Sequence, residues 1–187
     1  MEKLIPIQLT YIKQRPAMFS FIRPQEAYLF RKYKKFIHAP ILDFGCGDGF
    51  FAQTTFGKNY IDVGVDIHSN RRTQEARQNN IYKKLVLYNG SKLPFPDSSF
   101  QTVISNCVFE HIPDLPNTLK EIRRVLKPGG YILSSVMTKK WEDFLFGKKI
   151  VGNVYVEWLR KIQEHHSLLS ENQWDTTYKK CRLSIVK

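Results

Sequence analysis

The sequence ILDFGCGDGF (41–50) joins a short apolar run to three alternating glycines, Gly45, Gly47 and Gly49. A second apolar run ends in Asp66, which lies 21 residues after Gly45. Glycines directly after a strand let the backbone approach a ligand, since they have no Cβ and tolerate positive φ. An acidic residue at the end of the next strand can accept both hydroxyls of a ribose. The sequence therefore predicts a site for a nucleotide cofactor.

The spacing of the glycines indicates which nucleotide this site would bind. The dinucleotide fingerprint G-x-G-x-x-G would require a third glycine at position 50, where the sequence has Phe50. This difference disfavours an oxidoreductase that uses a nicotinamide cofactor. The observed pattern is G-x-G-x-G, preceded two residues earlier by Asp43. It resembles motif I of the class I methyltransferases that depend on S-adenosylmethionine (SAM).

Three further segments resemble the same family in the same order, LPFPDSSF, SNCVFEHI and EIRRVLKPGGYI, all within residues 89–136. The likeness covers residues 40–137 and is to the small-molecule, type 11-like branch of the family. It implies SAM as cofactor, S-adenosylhomocysteine as product and a small molecule as methyl acceptor. Methyl transfer from a sulfonium is a direct SN2 displacement, for which a protein mainly supplies proximity, alignment and a dry site.

The resemblance also implies which residues hold SAM. Asp43 would orient the glycine loop, and Asp66 would accept the two ribose hydroxyls. Ile67 would cover one face of the adenine, while Asn89, in place of the family's usual Asp, would meet the adenine amino group beside Gly90. The methionine part would lie along backbone groups of Gly45, Cys46, Gly47, Ser105 and Asn106.

His111 is the candidate for a catalytic base, because it follows the predicted fourth strand, at the sheet edge where open α/β folds bind ligands. The alternative is that Glu110 and His111 only cap that loop. Cys46 is interpreted as a small residue between glycines rather than as a nucleophile. No metal site is predicted, because His165 and His166 are adjacent and the three cysteines form no C-x-x-C pair.

Short β-branched and apolar segments alternate with segments of helical pattern along the chain. A first helix is predicted to start at Pro24, and a later one to stop at KPGG (127–130). The alternation predicts an α/β fold with a Rossmann-like, doubly wound, mostly parallel sheet and helices on both faces. The predicted strands are 41–44, 60–66, 84–88, 101–106 and 131–137, and the helices between them are 49–56, 69–79 and 116–126.

We expect a single methyltransferase domain over residues 1–187. It would consist of an N-terminal arm and helix (1–38), a SAM-binding core (39–137), an aromatic lid or acceptor segment (138–170), and a last helix and strand (171–187). Acceptor identity should reside in the arm and the aromatic segment, because the core motifs describe only the cofactor.

The C-terminal third carries further structural signals. Apolar residues at helical spacing indicate an amphipathic helix, at Val151, Val154, Trp158 and Ile162. Ser170 is a candidate N-cap for a helix over SENQWDTTYKK, with a capping box near Asn172 or Gln173. A final strand is predicted at 182–187. Because the family resemblance implies a seventh strand, we expect an incomplete C-terminal sheet edge, in a chain that is either naturally short or truncated.

The charge balance bears on the partner, since 29 Lys and Arg against 17 Asp and Glu give a net charge of +12. Such a balance favours anionic partners, for example a phosphorylated sugar or lipid-linked acceptor. Two alternatives stay open: an RNA methyltransferase, and a SAM-binding protein without catalysis. No signal peptide or membrane-spanning run is visible and the cysteines suggest no disulfide framework, so we expect a cytoplasmic protein.

Overall fold

A computed structural model describes residues 5–15, 17–67 and 71–186. The chain forms two compact units. Unit 1 contains Met1–Asn106 and Val125–Ser134, and unit 2 contains Cys107–Arg124 and Ser135–Lys187. The description of the chain as one domain with an arm, a core and a lid stays a prediction.

Unit 1 is built on a five-stranded sheet. Its strands are β1 (Ile41–Phe44), β2 (Val63–Asp66), β3 (Lys84–Leu87), β4 (Phe100–Asn106) and β5 (Leu126–Ser135), of which β5 continues by one residue into unit 2. Its helices are α1 (Ile5–Gln14), α2 (Ala17–Lys32), α3 (Phe50–Phe56) and α4 (Arg71–Gln78). The strand order is β3-β2-β1-β4-β5, and β1 runs parallel to both β2 and β4. The predicted Rossmann-like α/β fold with an open sheet edge is confirmed.

The apolar character of the central strands explains their position in the sheet. All four residues of β1 are buried, and Leu42 pairs with Val63 of β2 on one side and Val103 of β4 on the other. A strand that is buried on both faces has no polar side, which is why this run shows no alternation. The sheet core also includes buried residues from loops and helices, among them Phe30, Ile37, Ala52, Ile61, Ala76 and Ile81.

The N-terminal region is more regular than the sequence indicates. Residues predicted as an arm form α1, and α2 begins at Ala17 instead of at Pro24, so the predicted helix start is wrong. Proline inside a helix removes a hydrogen bond and is costly. Here Pro24 is buried, and Ala27 packs with Ile7 and Tyr11 of α1 in one apolar cluster. Tertiary packing of this kind overrides local helix propensity.

The start of β5 also departs from the prediction. The segment 127–130, expected to stop the preceding helix, belongs to the strand, which therefore begins at Leu126 and ends at Ser135 instead of covering 131–137. A Cβ on Gly130 would lie 2.7 Å from the Gln101 carbonyl oxygen at the start of β4. The absence of a side chain at this position lets the two backbones approach, and the segment continues the sheet instead of leaving it.

Unit 2 is helical in its described residues. It contains α5 (Leu115–Val125), which ends one residue into unit 1, then α6 (Phe146–Val151), α7 (Asn153–Ile162) and α8 (Glu171–Lys180), and short 3-10 turns at Phe109–His111 and Lys139–Phe144. The predicted capping box of α8 is confirmed, since the Ser170 side chain accepts from Gln173 N and the Gln173 side chain accepts from Ser170 N.

The strand predicted at 182–187 is wrong, because residues 183–186 form no strand. Arg182 has a positive φ of 58°, and its N–H donates to Lys179 O. Leu183 N donates to Tyr178 O. The end of α8 thus takes up backbone donors that a strand would need, as helix ends commonly do.

Candidate cofactor and acceptor residues

The glycine loop that follows β1 is folded tightly against β2. The backbone N–H groups of Gly45 and Cys46 both donate to Val65 O, at 2.9 and 3.1 Å. Gly49 N donates to Cys46 O at 3.0 Å and so closes the turn into α3. Gly45, Gly47 and Gly49 have φ values of 73°, 53° and 72°, a backbone region that other residues adopt only with strain.

Two of these glycines are needed for different reasons. A Cβ on Gly49 would lie 2.9 Å from the Ile81 side chain, so Gly49 serves close packing within unit 1. Among the described residues, none has an atom within 4 Å of a Cβ built on Gly47. With respect to these residues the backbone of Gly47 is open, as a loop that receives a ligand must be.

The carboxylate of Asp66 ties the end of β2 to this loop. Its Oδ2 accepts from Gly47 N at 2.8 Å, and its Oδ1 accepts from Ile67 N at 2.7 Å. A carboxylate has about four acceptor positions. Each oxygen of Asp66 therefore keeps capacity for one further donor, such as a ribose hydroxyl. The residues present fit the adenosine end of SAM.

Asp43 is held by a buried hydrogen bond that the sequence analysis did not predict. Tyr82 Oη donates to Asp43 Oδ2 at 2.6 Å, and both side chains are buried. The Tyr82 ring lies directly over Gly64 of β2, where a Cβ would come within 2.7 Å of it. A glycine inside a short β-branched strand was the signal that could have indicated this close approach.

Burial sets the protonation of this cluster. It raises the pKa of Asp43 to about 7, against the opposing hydrogen bond from Tyr82, and the nearby Asp66 carboxylate raises this pKa further. Burial, together with the charge of Asp43, also raises the pKa of Tyr82. The pKa of the Cys46 thiol is likewise raised by burial. A thiol that stays protonated is a poor nucleophile, which agrees with the interpretation of Cys46 as a small loop residue.

The residues predicted for the methionine end of the cofactor lie at the end of β4. Ser105 Oγ donates to Phe44 O at 3.1 Å, so this buried hydroxyl joins β4 to β1. Asn106 Nδ2 donates to Glu26 Oε2 at 3.0 Å, and Arg23 Nη1 donates to Asn106 Oδ1 at 3.2 Å. Sequence reasoning missed Arg23 and Glu26, because α2 is far from β4 along the chain.

The residues predicted for the adenine lie at the ends of β2 and β3. A Cβ on Gly90 would lie 3.6 Å from Ile67 Cγ2, so these two positions are neighbours. The exposed Asn89 accepts from Ser91 N through Oδ1 at 3.1 Å. Ile67 is exposed and leaves an apolar surface for a planar ring. Their roles toward adenine stay predictions.

Helix α1 lies against the glycine loop. Arg15 forms an ion pair with Asp48 at 2.7 Å and places its guanidinium 4.1 Å from the centre of the Phe50 ring. Tyr11 contacts the same ring edge-to-face, with centroids 4.9 Å apart. An open cleft of about 450 Å³ adjoins this contact, lined by Gln14, Arg15, Asp48, Arg72 and Glu75. Its lining includes Asp48 of the glycine loop and none of the residues predicted to hold the cofactor.

The predicted base His111 belongs to unit 2, where it is exposed at the end of the turn Phe109–His111. Its ring lies 5.0 Å from the ring of His165, and Trp141 meets His165 edge-on at 5.5 Å. Among the described residues, the buried Nδ1 of His165 has no hydrogen-bond partner. Burial, with a further contribution from His111, lowers the pKa of His165 to about 4. His165 is therefore neutral at pH 7.

The fully buried Glu110 fixes this histidine contact. Its backbone oxygen accepts from His166 N and Ser167 N, both at 2.9 Å, and its Oε1 accepts from Met137 N at 3.3 Å. Ser167 Oγ donates to Ile112 O at 2.8 Å. These bonds hold the segment that carries His165 beside the turn that carries His111.

The described residues carry neither a cluster of metal ligands nor a membrane-spanning helix. No three His, Cys, Asp or Glu side chains in this part of the chain are grouped as metal ligands. No helix within it is both long and apolar enough to cross a membrane.

The chain is similar to known methyltransferases in sequence and in fold. Residues 42–134 match a family described as "Methyltransferase domain". The chain is similar to a malonyl-[acyl-carrier protein] O-methyltransferase of Erwinia pyrifoliae, with 36% identity over 99 residues that cover 53% of this chain and 37% of that protein. It is also similar to a demethylmenaquinone methyltransferase of Symbiobacterium thermophilum, with 34% identity over 113 residues that cover 56% and 45%. The chain thus spans less than half the length of these relatives.

A solved structure of a SAM-dependent methyltransferase from Methanosarcina mazei has a similar fold. The TM-score is 0.65 at 22% identity, over 83% of this chain and 85% of that one. At this identity the likeness concerns the fold alone, and it agrees with the open Rossmann-like sheet of unit 1.

Proposed function

Because this chain belongs to the class I SAM-dependent methyltransferases, we propose that it transfers a methyl group from SAM to a small-molecule acceptor. The observation that carries the proposal is the hydrogen bond from Gly47 N to Asp66 Oδ2, at 2.8 Å. It joins the glycine loop to the acidic residue of β2, the two features from which a SAM site was predicted.

SAM is the cofactor of this family, and when bound it supplies an electrophilic methyl group on a sulfonium. In our proposal Asp66 accepts the ribose hydroxyls, and the open backbone at Gly47 borders the ligand. Asp43, fixed by Tyr82, orients the loop from beneath. Ile67 and Gly90 provide the adenine surface, with Asn89 at its edge. The protein's contribution is then mainly binding and alignment.

His111 is the residue that we propose as base for a hydroxyl acceptor, which must lose a proton as its oxygen is methylated. Its exposed side chain is accessible to an acceptor, and its neighbour His165 is neutral. An amine or thiol acceptor needs less help of this kind. We therefore expect His111 to raise the rate of methyl transfer more for an acceptor that holds its proton firmly than for one that loses it easily.

The acceptor class that we propose is anionic, and sugar- or lipid-linked. A net charge of +12 supports an anionic acceptor. The aromatic segment 138–170, our proposed acceptor lid, supports one with an apolar part. One relative is named for malonyl-acyl-carrier protein and another for demethylmenaquinone. The three free cysteines are consistent with the reducing cytoplasm as the place of action.

Turnover with labelled SAM and a panel of hydroxyl, amine and carboxylate acceptors tests the proposal. We expect transfer to a small acceptor, and for a hydroxyl acceptor we expect His111→Ala to lower kcat with SAM affinity unchanged. Tight SAM binding without transfer to any acceptor class would favour the non-catalytic alternative. Transfer only to RNA, with retention on RNA that falls steeply with salt, would favour the RNA methyltransferase.

A further inference from the structure

Helices α6 and α7 of unit 2 form a compact pair. Gly152 links them with a φ of 78°, and no atom of the described residues lies within 4 Å of a Cβ built there. The Tyr155 ring packs directly on Gly147, where there is no room for a Cβ. Tyr155 also contacts Trp158, with ring centroids 5.8 Å apart. These contacts hold α6 and α7 against each other, so the side chains on their outer faces have defined positions.

The outer surface of this pair is apolar, which is the reverse of an ordinary surface helix. On α7 the exposed residues Val154, Trp158 and Ile162 are spaced four apart and so lie on one face, while Val156 is buried. Together with residues on and before α6, the apolar side chains of this surface are between 56% and 85% exposed: Phe144, Ile150, Val151, Val154, Trp158 and Ile162. We call these six residues the apolar surface. A patch of this kind marks an interaction site.

The charges around the apolar surface are mainly positive. Residues 138–162 contain six Lys and Arg against three Asp and Glu. Two of the three acids are engaged within the segment, since Glu142 pairs with Arg160 and Asp143 pairs with Lys148. Among the described residues, Lys149 and Lys161 form no ion pair, and both are exposed. The surface therefore combines apolar side chains with uncompensated positive charge.

We propose that the apolar surface docks this protein onto an anionic lipid membrane. Helices that lie in a membrane interface combine exposed Trp, Phe and aliphatic residues with Lys and Arg in this way. Tryptophan is favoured at the level of the lipid head groups, and lysines near an anionic leaflet strengthen binding. The inference concerns a binding surface and does not depend on methyl transfer.

Two other occupants fit the surface less well. A second copy would bring together two chains that each carry a net charge of +12, and this repulsion opposes association. RNA would match the lysines and would stack on Phe144 and Trp158, but the other four residues of the apolar surface are aliphatic and offer it no stacking partner. A membrane satisfies both the apolar and the charged character of the surface.

Co-sedimentation of the full chain with vesicles tests the inference. We expect binding to vesicles of phosphatidylcholine mixed with phosphatidylglycerol, and binding weaker by about tenfold or more to phosphatidylcholine alone. The double variant Val154→Ser/Trp158→Ser should lose most binding, because it removes apolar contact from one face. Lys149→Glu/Lys161→Glu should abolish the preference for anionic vesicles.

The matched control for charge is Lys120→Glu/Arg123→Glu, which makes the same change in net charge at exposed positions of α5. It should retain binding within about threefold, because the lysines that we invoke are elsewhere. Circular dichroism melting confirms that each variant is folded. The inference fails if the control loses as much binding as the double lysine variant, or if the wild type ignores anionic vesicles. It also fails if ultracentrifugation shows a dimer that Val154→Ser/Trp158→Ser dissolves, or if the lysine variant loses RNA instead of lipid.

Discussion

The glycine loop of unit 1 and the α6–α7 pair of unit 2 are built by opposite means. The loop is made of backbone: three positive φ values and hydrogen bonds to Val65 O and Asp66 fix its course. The apolar surface, on this pair and at the residue Phe144 before it, is made of six apolar side chains that face solvent. A cofactor shared by a whole family requires a rigid, local backbone geometry. A surface that contacts other molecules can be specified by a few exposed residues.

One titratable group in each unit makes stability depend on pH, and the two groups act in opposite directions. Asp43 in unit 1 has its pKa raised to about 7 by burial, so its contribution to stability is present at low pH and lost as pH rises toward 7. His165 in unit 2 has its pKa lowered to about 4 by burial. Its contribution is present above the unfolded value of about 6.5 and lost as pH falls toward 4. Each buried group thus favours its neutral form.

The largest expected effect is that of Gly64→Val in β2. The new side chain would collide with the Tyr82 ring and displace the hydroxyl that serves Asp43. Overpacking and the loss of a buried hydrogen bond should together lower the free energy of unfolding by about 2–5 kcal/mol. Denaturant unfolding measures this value, and Gly64→Ala should show a smaller loss. A variant as stable as the wild type would show that Tyr82 does not depend on this glycine.

Asp43→Asn tests the protonation of the buried cluster. Between pH 4 and 7 the unfolded chain releases the Asp43 proton while the folded chain keeps it, so the wild type loses stability as pH rises. Asparagine cannot ionise, but its carbonyl oxygen can still accept from Tyr82. The stability of the variant relative to wild type should rise by up to about 4 kcal/mol across this range. Urea unfolding at several pH values measures it, and a constant difference would contradict the raised pKa.

Tyr82→Phe separates the hydrogen bond from the packing over Gly64. The ring remains, but the buried Asp43 loses its donor at 2.6 Å. We expect a loss of about 1–3 kcal/mol in the free energy of unfolding. The pKa of Asp43 should also rise, because in the wild type the hydrogen bond from Tyr82 lowers this pKa. In the double variant Asp43→Asn/Tyr82→Phe the two changes in the free energy of unfolding should not add, and simple additivity would show that the residues do not act as a pair.

Trp158→Ala gives the smallest expected effect on stability and tests the α6–α7 pair of unit 2 instead of the glycine loop. Its side chain is exposed, so the loss should stay below about 1 kcal/mol, whereas Trp174→Ala, at a buried position, should cost about 3–5 kcal/mol. If residues 138–170 contact the acceptor, Trp158→Ala should lower methyl transfer and leave SAM affinity unchanged. Equal losses of stability in the two variants would show that Trp158 is part of the core.

The parts of the fold that could be predicted from sequence are those set by neighbouring residues. The loop after β1 and the capping box at Ser170 depend on residues within a few positions, and the pattern showed both. The strand expected at 182–187 failed because its backbone donors are taken by the end of α8. Apolar composition alone does not show such competition.

Contacts between distant segments were the main omissions. Arg23 and Asn106 are 83 positions apart, and Tyr82 and Asp43 are 39 apart. Neither pair produces a local pattern. We predicted a helix start at Pro24 because proline is costly inside a helix, and this cost can be recognised from the local sequence. The packing around Ala27 that offsets the cost involves residues of α1, which the local sequence does not show.

Isothermal titration of SAM and S-adenosylhomocysteine into Asp66→Ala tests most directly the claim that the glycine loop and Asp66 form the cofactor site. Two charge-assisted hydrogen bonds to the ribose are worth about 2–4 kcal/mol, so affinity should fall by about 30-fold or more with the fold retained. The matched control is Asp62→Ala, since the Asp62 carboxylate accepts hydrogen bonds from Ile41 N and Lys83 Nζ instead. The control should bind both ligands as the wild type does. Unchanged affinity in a folded Asp66→Ala variant would contradict the account.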